Sequence, residues 1–195
     1  MGMEALHGRM GVALNMMCSC IVFTFLVTST PISQFRGEGI GAGGASKLSC
    51  VTVWGLKNNC DSNHYDHRST SIECQRPKQL FQAAEAFYII AVIVSLLSSI
   101  MGGLYFIGLK AKLLLVALAV VEVAVALVPW ACMTAVWYND YCGKSTVVID
   151  GKNGKLSGVP YGSVLRGAFK FSAGYGMTVS AWCIQVIGLV LLIAL

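Results

Sequence analysis

The chain has 195 residues, of which 56% are apolar and only 12% charged, with a formal net charge of +5. A soluble domain of this length must cover its surface with polar groups, so the composition excludes an ordinary globular protein. The basic residues are scattered and form no stripe, so no nucleic-acid partner is expected, whereas membrane lipid is.

In chain order, the apolar residues fall into four blocks, at residues 10–32, 83–107, 113–138 and 171–195. At about 1.5 Å per residue, each crosses a hydrocarbon core of about 30 Å with some tilt. Lipid offers backbone groups no hydrogen-bond partner, so each block is predicted to be a helix. The expected fold is an all-α transmembrane four-helix bundle, with residues 1–195 forming a single membrane domain.

The first block follows Arg9, and Val27-Thr28-Ser29 loosely fits a signal cleavage site. Its apolar run exceeds a usual signal core and contains Asn15, so it is read as a retained membrane helix. A long polar loop follows at residues 33–80. Residues 37–44, rich in glycine, read as a flexible excursion. Residues 48–54 include Val51, Thr52, Val53 and Trp54, which suit a half-buried strand, and Trp54 is read as a packing anchor against the outer helix ends. His64-Tyr65-Asp66-His67, with Asp61 nearby, offers an HxxH pair. Loop histidines at this spacing are read as solvated, and no metal or cofactor is expected.

In the second helix Ser95, Ser99 and Gly103 recur at helical spacing, as do Ser172, Gly176 and Ser180 in the fourth. Such ladders let helix backbones approach closely in lipid. Residues 108–112 barely turn the chain before the third helix, in which Glu122 lies roughly 14 Å from the start. Ser98 and Gln185 fall near that depth, and Asn15 somewhat nearer the inner surface. An ionisable group inside a membrane marks a partner or a pathway. On the structural reading, a neutral Glu122 bonds to Gln185, Asn15 or Ser98 and fixes helix register. The alternative is a proton or ion conduit, or its modulator, although one acid and two amides make a thin pathway.

Trp137 and Tyr138 at one end of the third helix, and Tyr105 at the opposite end of the second, read as interfacial anchors. In the second large loop, residues 139–170, Thr146-Val147-Val148-Ile149 runs through a glycine-rich turn into Lys155-Leu156, which reads as a β-hairpin. The chain offers no nucleophile–base constellation and no phosphate-binding loop, so no enzymatic activity is expected.

Both large loops share one side of the membrane. They hold eleven Lys and Arg against three elsewhere, and a plain positive-inside count puts them in the cytosol. Cys50, Cys60, Cys74 and Cys142 argue the reverse, because four cysteines in polar loops suit two disulfides and an oxidising compartment. We follow the cysteines, together with the resemblance described next: a multi-pass plasma-membrane protein, long loops extracellular and both termini cytoplasmic. Four cysteines allow three connectivities, and spacing alone does not choose among them.

Residues 50–60, Cys50-Val51-Thr52-Val53-Trp54-Gly55-Leu56-Lys57-Asn58-Asn59-Cys60, satisfy every position of a known signature. On these residues the chain resembles the amastins, surface proteins of trypanosomatid parasites. The flanks agree: Thr30-Pro31-Ile32-Ser33-Gln34-Phe35-Arg36 is similar to the family's exit from helix one. Phe81-Gln82-Ala83-Ala84-Glu85-Ala86-Phe87 resembles its entry to helix two, and Ser172 through Trp182 its fourth helix. The resemblance implies a non-enzymatic surface protein that displays disulfide-held loops. It makes Trp54, Gly55, Leu56 and Lys57 signature residues, with a host membrane, host surface proteins or further copies of the chain as partners. No Asn-x-Ser/Thr sequon accompanies it, so N-linked sugar is not expected.

A more distant resemblance is to the claudins, through Gly55-Leu56-Lys57-Asn58-Asn59-Cys60 and then Ile72-Glu73-Cys74. Lys57 stands where claudins have tryptophan, and the gap between the cysteines is longer. Claudin likeness implies a small extracellular β-sheet over the bundle, built from both loops. It also implies a Cys60–Cys74 pair, leaving Cys50 for Cys142. Cys50–Cys60 with Cys74–Cys142 is the rival pairing.

Overall fold

The computed structural model describes residues 3–40, 46–72, 74–108, 111–142 and 161–195. The four apolar blocks form α1 (Met3–Ser29), α2 (Gln75–Ile107), α3 (Lys112–Tyr138) and α5 (Ala173–Ala194). Each is long and apolar enough to cross a membrane.

How the helices pack is written in the spacing of their buried residues. On α2 these include Phe81, Ala84, Tyr88, Ala91, Ser95, Ser98 and Gly102. On α3 they include Leu115, Ala119, Glu122, Ala126, Pro129 and Met133, and on α5 Gly174, Thr178, Ala181, Gln185, Gly188 and Leu192. Val12, Asn15, Ser19, Val22, Leu26 and Ser29 continue the pattern on α1. Steps of three and four alternate in every helix, which is the seven-residue repeat of a left-handed supercoil. The opposite faces expose Ile89, Ile93, Ile100, Val120, Ile187 and Val190. Apolar residues outside and small or polar ones inside fit a lipid-facing bundle.

That repeat corrects the expected small-residue ladders. Steps of four drift away from a 3.5-residue seam, so Gly103 and Gly176 face open space. The close approaches fall instead at Gly102 and Gly188. A Cβ at Gly102 would lie 2.9 Å from the Met16 Cβ, and one at Gly188 the same distance from the Cys18 Cβ.

The helix boundaries also differ from the apolar blocks. α1 stops at Ser29 rather than residue 32, because Pro31 cannot continue a helix. α2 begins at Gln75, well before residue 83, with Pro77 tolerated in the first turn. Hydropathy missed this outer extension because its first residues are polar. Before α5, Phe169–Phe171 is strand, so the fourth span starts at Ala173 rather than 171.

Above one end of the bundle lies a five-stranded antiparallel sheet. Its strands are β1 (Phe35–Ile40), β2 (Ser46–Thr52), β3 (Gly55–Lys57), β4 (His67–Arg68) and β5 (Phe169–Phe171), in the order β4-β3-β2-β1-β5. The first four come from the first loop and β5 from the second, so both loops build one sheet. The second loop also forms α4 (Tyr161–Ala168), which the sequence reading did not anticipate. The hairpin expected at residues 146–156 lies outside the described residues. So does part of the stretch 37–44 that reads as flexible. The part that is described, Gly37 to Ile40, is strand. Gly37 pairs with Ser49 on one side and Phe169 on the other, and a Cβ there would strike the Ala168 carbonyl. Its glycine serves close approach, not freedom.

The buried apolar residues form two clusters. The outer one joins sheet to bundle, through Phe35, Val51 and Val53 with Val22, Leu26, Tyr88, Met133 and Trp137. The inner one gathers Val12, Leu115, Ala119 and Leu192. Between them lies a layer of polar side chains.

Candidate functional site

The eleven signature residues build a covalently closed hairpin. Cys50 stands opposite Lys57 in the β2–β3 register, and Cys60 follows three residues later as the chain turns back. This brings Cys60 to Cys50, and the two form a disulfide with Cα atoms 5.2 Å apart. Cys74 is left at the N-cap of α2, beside the outer end of α3, and bonds Cys142 with Cα atoms 6.1 Å apart. The pairing implied by claudin likeness, Cys60–Cys74 with Cys50–Cys142, is therefore not the one present. The hairpin register is the reason.

Inside the hairpin each signature residue has a distinct task. The Thr52 hydroxyl donates to the Gly55 carbonyl at 3.2 Å and accepts from the Trp54 N–H at 3.2 Å, closing the turn. Gly55 takes φ +147, and a Cβ there would run into the His67 carbonyl. Only glycine suits both conditions. Leu56 packs against the outer cluster, and Lys57 lies with its Nζ 4.6 Å from the Tyr65 ring centroid, a cation–π contact. The residue that plugs the sheet into the helix ends is Val53, fully buried. Trp54, expected as a packing anchor, is half-buried at the turn between β2 and β3.

Three further contacts fasten this outer layer. An aromatic run ties β1 to α3, β5 and α5: Phe35 stacks on Trp137 at 5.1 Å, Trp137 meets Phe171 at 4.4 Å, and Phe171 meets Tyr175 at 4.4 Å. Beneath it, Gln34 Nε2 donates to the Tyr88 hydroxyl at 3.2 Å, and the Tyr88 and Thr178 hydroxyls share a hydrogen bond. At the end of α3, Arg166 Nη1 donates to the Trp137 and Tyr138 carbonyls at 2.7 and 2.9 Å. The guanidinium thus meets carbonyls that have no partner within the helix, at the negative end of its dipole. Asp140 Oδ1 accepts from the Ser163 N–H at 2.6 Å and the Ser163 hydroxyl at 2.7 Å, and pairs with Arg166 at 3.3 Å. The Ser163 hydroxyl, with its backbone N–H and Arg166 adding to it, holds the Asp140 carboxyl below its usual value.

Deeper in the bundle is the polar layer. Glu122 Oε2 accepts from Gln185 Nε2 at 2.8 Å and from the Ser19 hydroxyl at 3.2 Å. Ser19 and Ser98 lie 3.2 Å apart, and since the single Ser19 proton goes to Glu122, Ser98 donates to Ser19. Four helices thus converge on one carboxylate. Asn15 is one turn from Ser19 on the same seam of α1, with its Oδ1 beside Gly188 of α5. His64 and His67 are exposed in the outer loop. Among the described residues, no three His, Cys, Asp or Glu side chains gather as a metal site.

A protein-family comparison decides what this architecture belongs to. The family model described as amastin surface glycoprotein matches residues 20–192, from within α1 to near the end of α5. The chain belongs to the amastin family. No curated protein and no solved structure matches this amastin. It is a multi-pass membrane protein with four spans and a disulfide-held sheet over one end of the bundle.

The sequence places Ser98 and Gln185 near the depth of Glu122 and Asn15 somewhat nearer the inner surface, but does not single out Ser19, Tyr88, Thr178 or the Asp140–Arg166 pair of this amastin. Counting in alternating steps of three and four along each helix finds three of them. Thr178 lies seven residues before Gln185, Tyr88 seven before Ser95, and Ser19 four after Asn15 on the same seam. Nothing in the linear chain announces the Asp140–Arg166 pair, which forms only once α4 folds back onto α3.

Proposed function

We propose that this amastin is a non-enzymatic plasma-membrane protein that presents its disulfide-held sheet at the cell exterior. There the sheet makes contact with a host membrane, host surface proteins or another copy of itself. The observation that carries this reading is the pair of disulfides, both on the side of the sheet, which persist only in an oxidising compartment. On this reading both termini are cytoplasmic, against the positive-inside count. The opposing charges are partly committed: Arg166 caps α3 and pairs with Asp140, and Lys57 lies over Tyr65. Half-buried Trp54, at the tip of the closed hairpin, is the side chain best placed to meet a partner.

An epitope tag in residues 37–44, read by antibody on intact and permeabilised cells, tests the sidedness. Staining of intact cells together with paired loop cysteines supports display. A tag protected only on the cytosolic side, with free thiols, overturns it. Protease protection of sealed vesicles separates that result from retention in an internal compartment. A conduit through Glu122 is the weaker reading, since apolar clusters close the polar layer on both sides.

A further inference from the structure

Three acceptor oxygens in the polar layer have no hydrogen-bond partner: Glu122 Oε1, Gln185 Oε1 and Asn15 Oδ1. Their side chains are at most 1% exposed and come from α3, α5 and α1. All are tied to one locality. Gln185 Nε2 bonds the other Glu122 oxygen at 2.8 Å, and Asn15 Oδ1 lies 3.2 Å from the Cβ position of Gly188, one turn along from Gln185. Leaving a buried polar atom unpaired costs about 1–3 kcal/mol, more when it is charged. Three such oxygens from three helices in one layer describe a site made for a species that accepts lone pairs.

The chemistry of the set narrows that species. Among the described residues, no Lys, Arg or His lies on the buried seam of a span, so these seams supply no cation of their own. A proton on Glu122 Oε1 together with one bridging water would also serve these oxygens, and the sodium series below separates that occupant from a cation. A metal cation draws on all three together. The donors are all oxygen, which suits hard ions, and one carboxylate balances a single charge, where divalent ions draw on more acidic ligands. Gly188 keeps the space beside Asn15 Oδ1 open, since a side chain there would press on that oxygen.

We propose that Glu122, Gln185 and Asn15 bind a monovalent alkali cation of the sodium class between the two apolar clusters of the bundle. The ion joins α1, α3 and α5 at the level between the two apolar clusters. It is a resident structural ion, enclosed above by Val22, Ala91 and Ala181 and below by Val12, Leu115 and Leu192. The assignment does not depend on which way the sheet faces.

The test is melting of the full-length protein in lipid nanodiscs, followed by tryptophan fluorescence. Sodium chloride is exchanged for choline chloride at constant ionic strength and pH, with potassium chloride as a second series. A saturable rise in Tm with sodium, of about 3–6 °C by tenfold excess over Kd, is expected. Glu122→Gln abolishes it. Should that variant fail to fold, Asn15→Ala must still shift the sodium midpoint upward by about tenfold. Equal melting in sodium and choline overturns the proposal. So does an unchanged sodium response in both variants, or a Tm that follows pH and ignores sodium.

Discussion

Gln185 of α5 and Glu122 of α3 meet at 2.8 Å inside the bundle, and this pair is the strongest polar contact linking those helices in the layer. Replacing one partner strands the other. Gln185→Leu should therefore destabilise the bundle by about 1–3 kcal/mol, whereas Glu122→Leu combined with Gln185→Leu should cost less than the two single changes summed. Unfolding in detergent with a denaturant series measures all three variants. An additive result would show that the pair is not coupled.

The two disulfides constrain loops of very different length, 10 and 68 residues apart in sequence. On the chain-entropy account, losing Cys74–Cys142 costs about 4 kcal/mol and losing Cys50–Cys60 about 3 kcal/mol. Cys142→Ser should thus lower Tm more than Cys50→Ser. Non-reducing peptide mapping should recover Cys74 joined to Cys142, and a Cys60–Cys74 peptide would refute the pairing.

Glycines divide by seam rather than by ladder. Gly188→Ala and Gly102→Ala push a methyl group against Cys18 and Met16, at 2.9 Å in each case, and should cost about 1–3 kcal/mol. Gly103→Ala and Gly176→Ala meet nothing and should be neutral or stabilising by about 0.5–1 kcal/mol. Size-exclusion traces after a heat challenge rank the four variants.

Adjacent signature residues should separate folding from contact. Val53→Ala removes a fully buried side chain and should cost about 2 kcal/mol, lowering the amount displayed. Trp54→Ala removes a half-buried one, so display should persist while binding to host cells falls. Flow cytometry of tagged cells, with and without a host-cell binding step, reads both. Loss of display in Trp54→Ala would return that residue to the role of anchor.

Asp140 gives an acid limb to stability. Its folded value lies below the ordinary aspartate value of about 3.9, chiefly because the Ser163 hydroxyl bonds the charged form. A depressed value means the contribution is fully present above the unfolded value and is lost as pH falls through the folded one. Asp140→Asn should flatten the decline below about pH 4 and leave neutral melting curves nearly parallel. An identical acid limb in variant and parent would rule the group out.

Much of this fold was legible because lipid imposes few solutions. Long apolar runs had to be helices, and Glu122 stood out because charge is rare there. The signature located the strand and its cysteines for the same reason, an unusual density of β-formers between two thiols. What escaped were features set by three-dimensional register. Cys60 turns to Cys50 because β3 pairs back on β2. Gly102 rather than Gly103 is packed because supercoiling moves the seam by one residue.

The sheet ends in a two-residue strand, β4, on one side and a three-residue strand, β5, on the other. Among the described residues, neither border offers a long row of free backbone donors and acceptors to an incoming strand. Copies crowded on one membrane are thus kept from zipping together edge to edge. On the proposed display, recognition falls to side chains and to the chemistry at the hairpin tip, which can change without endangering solubility.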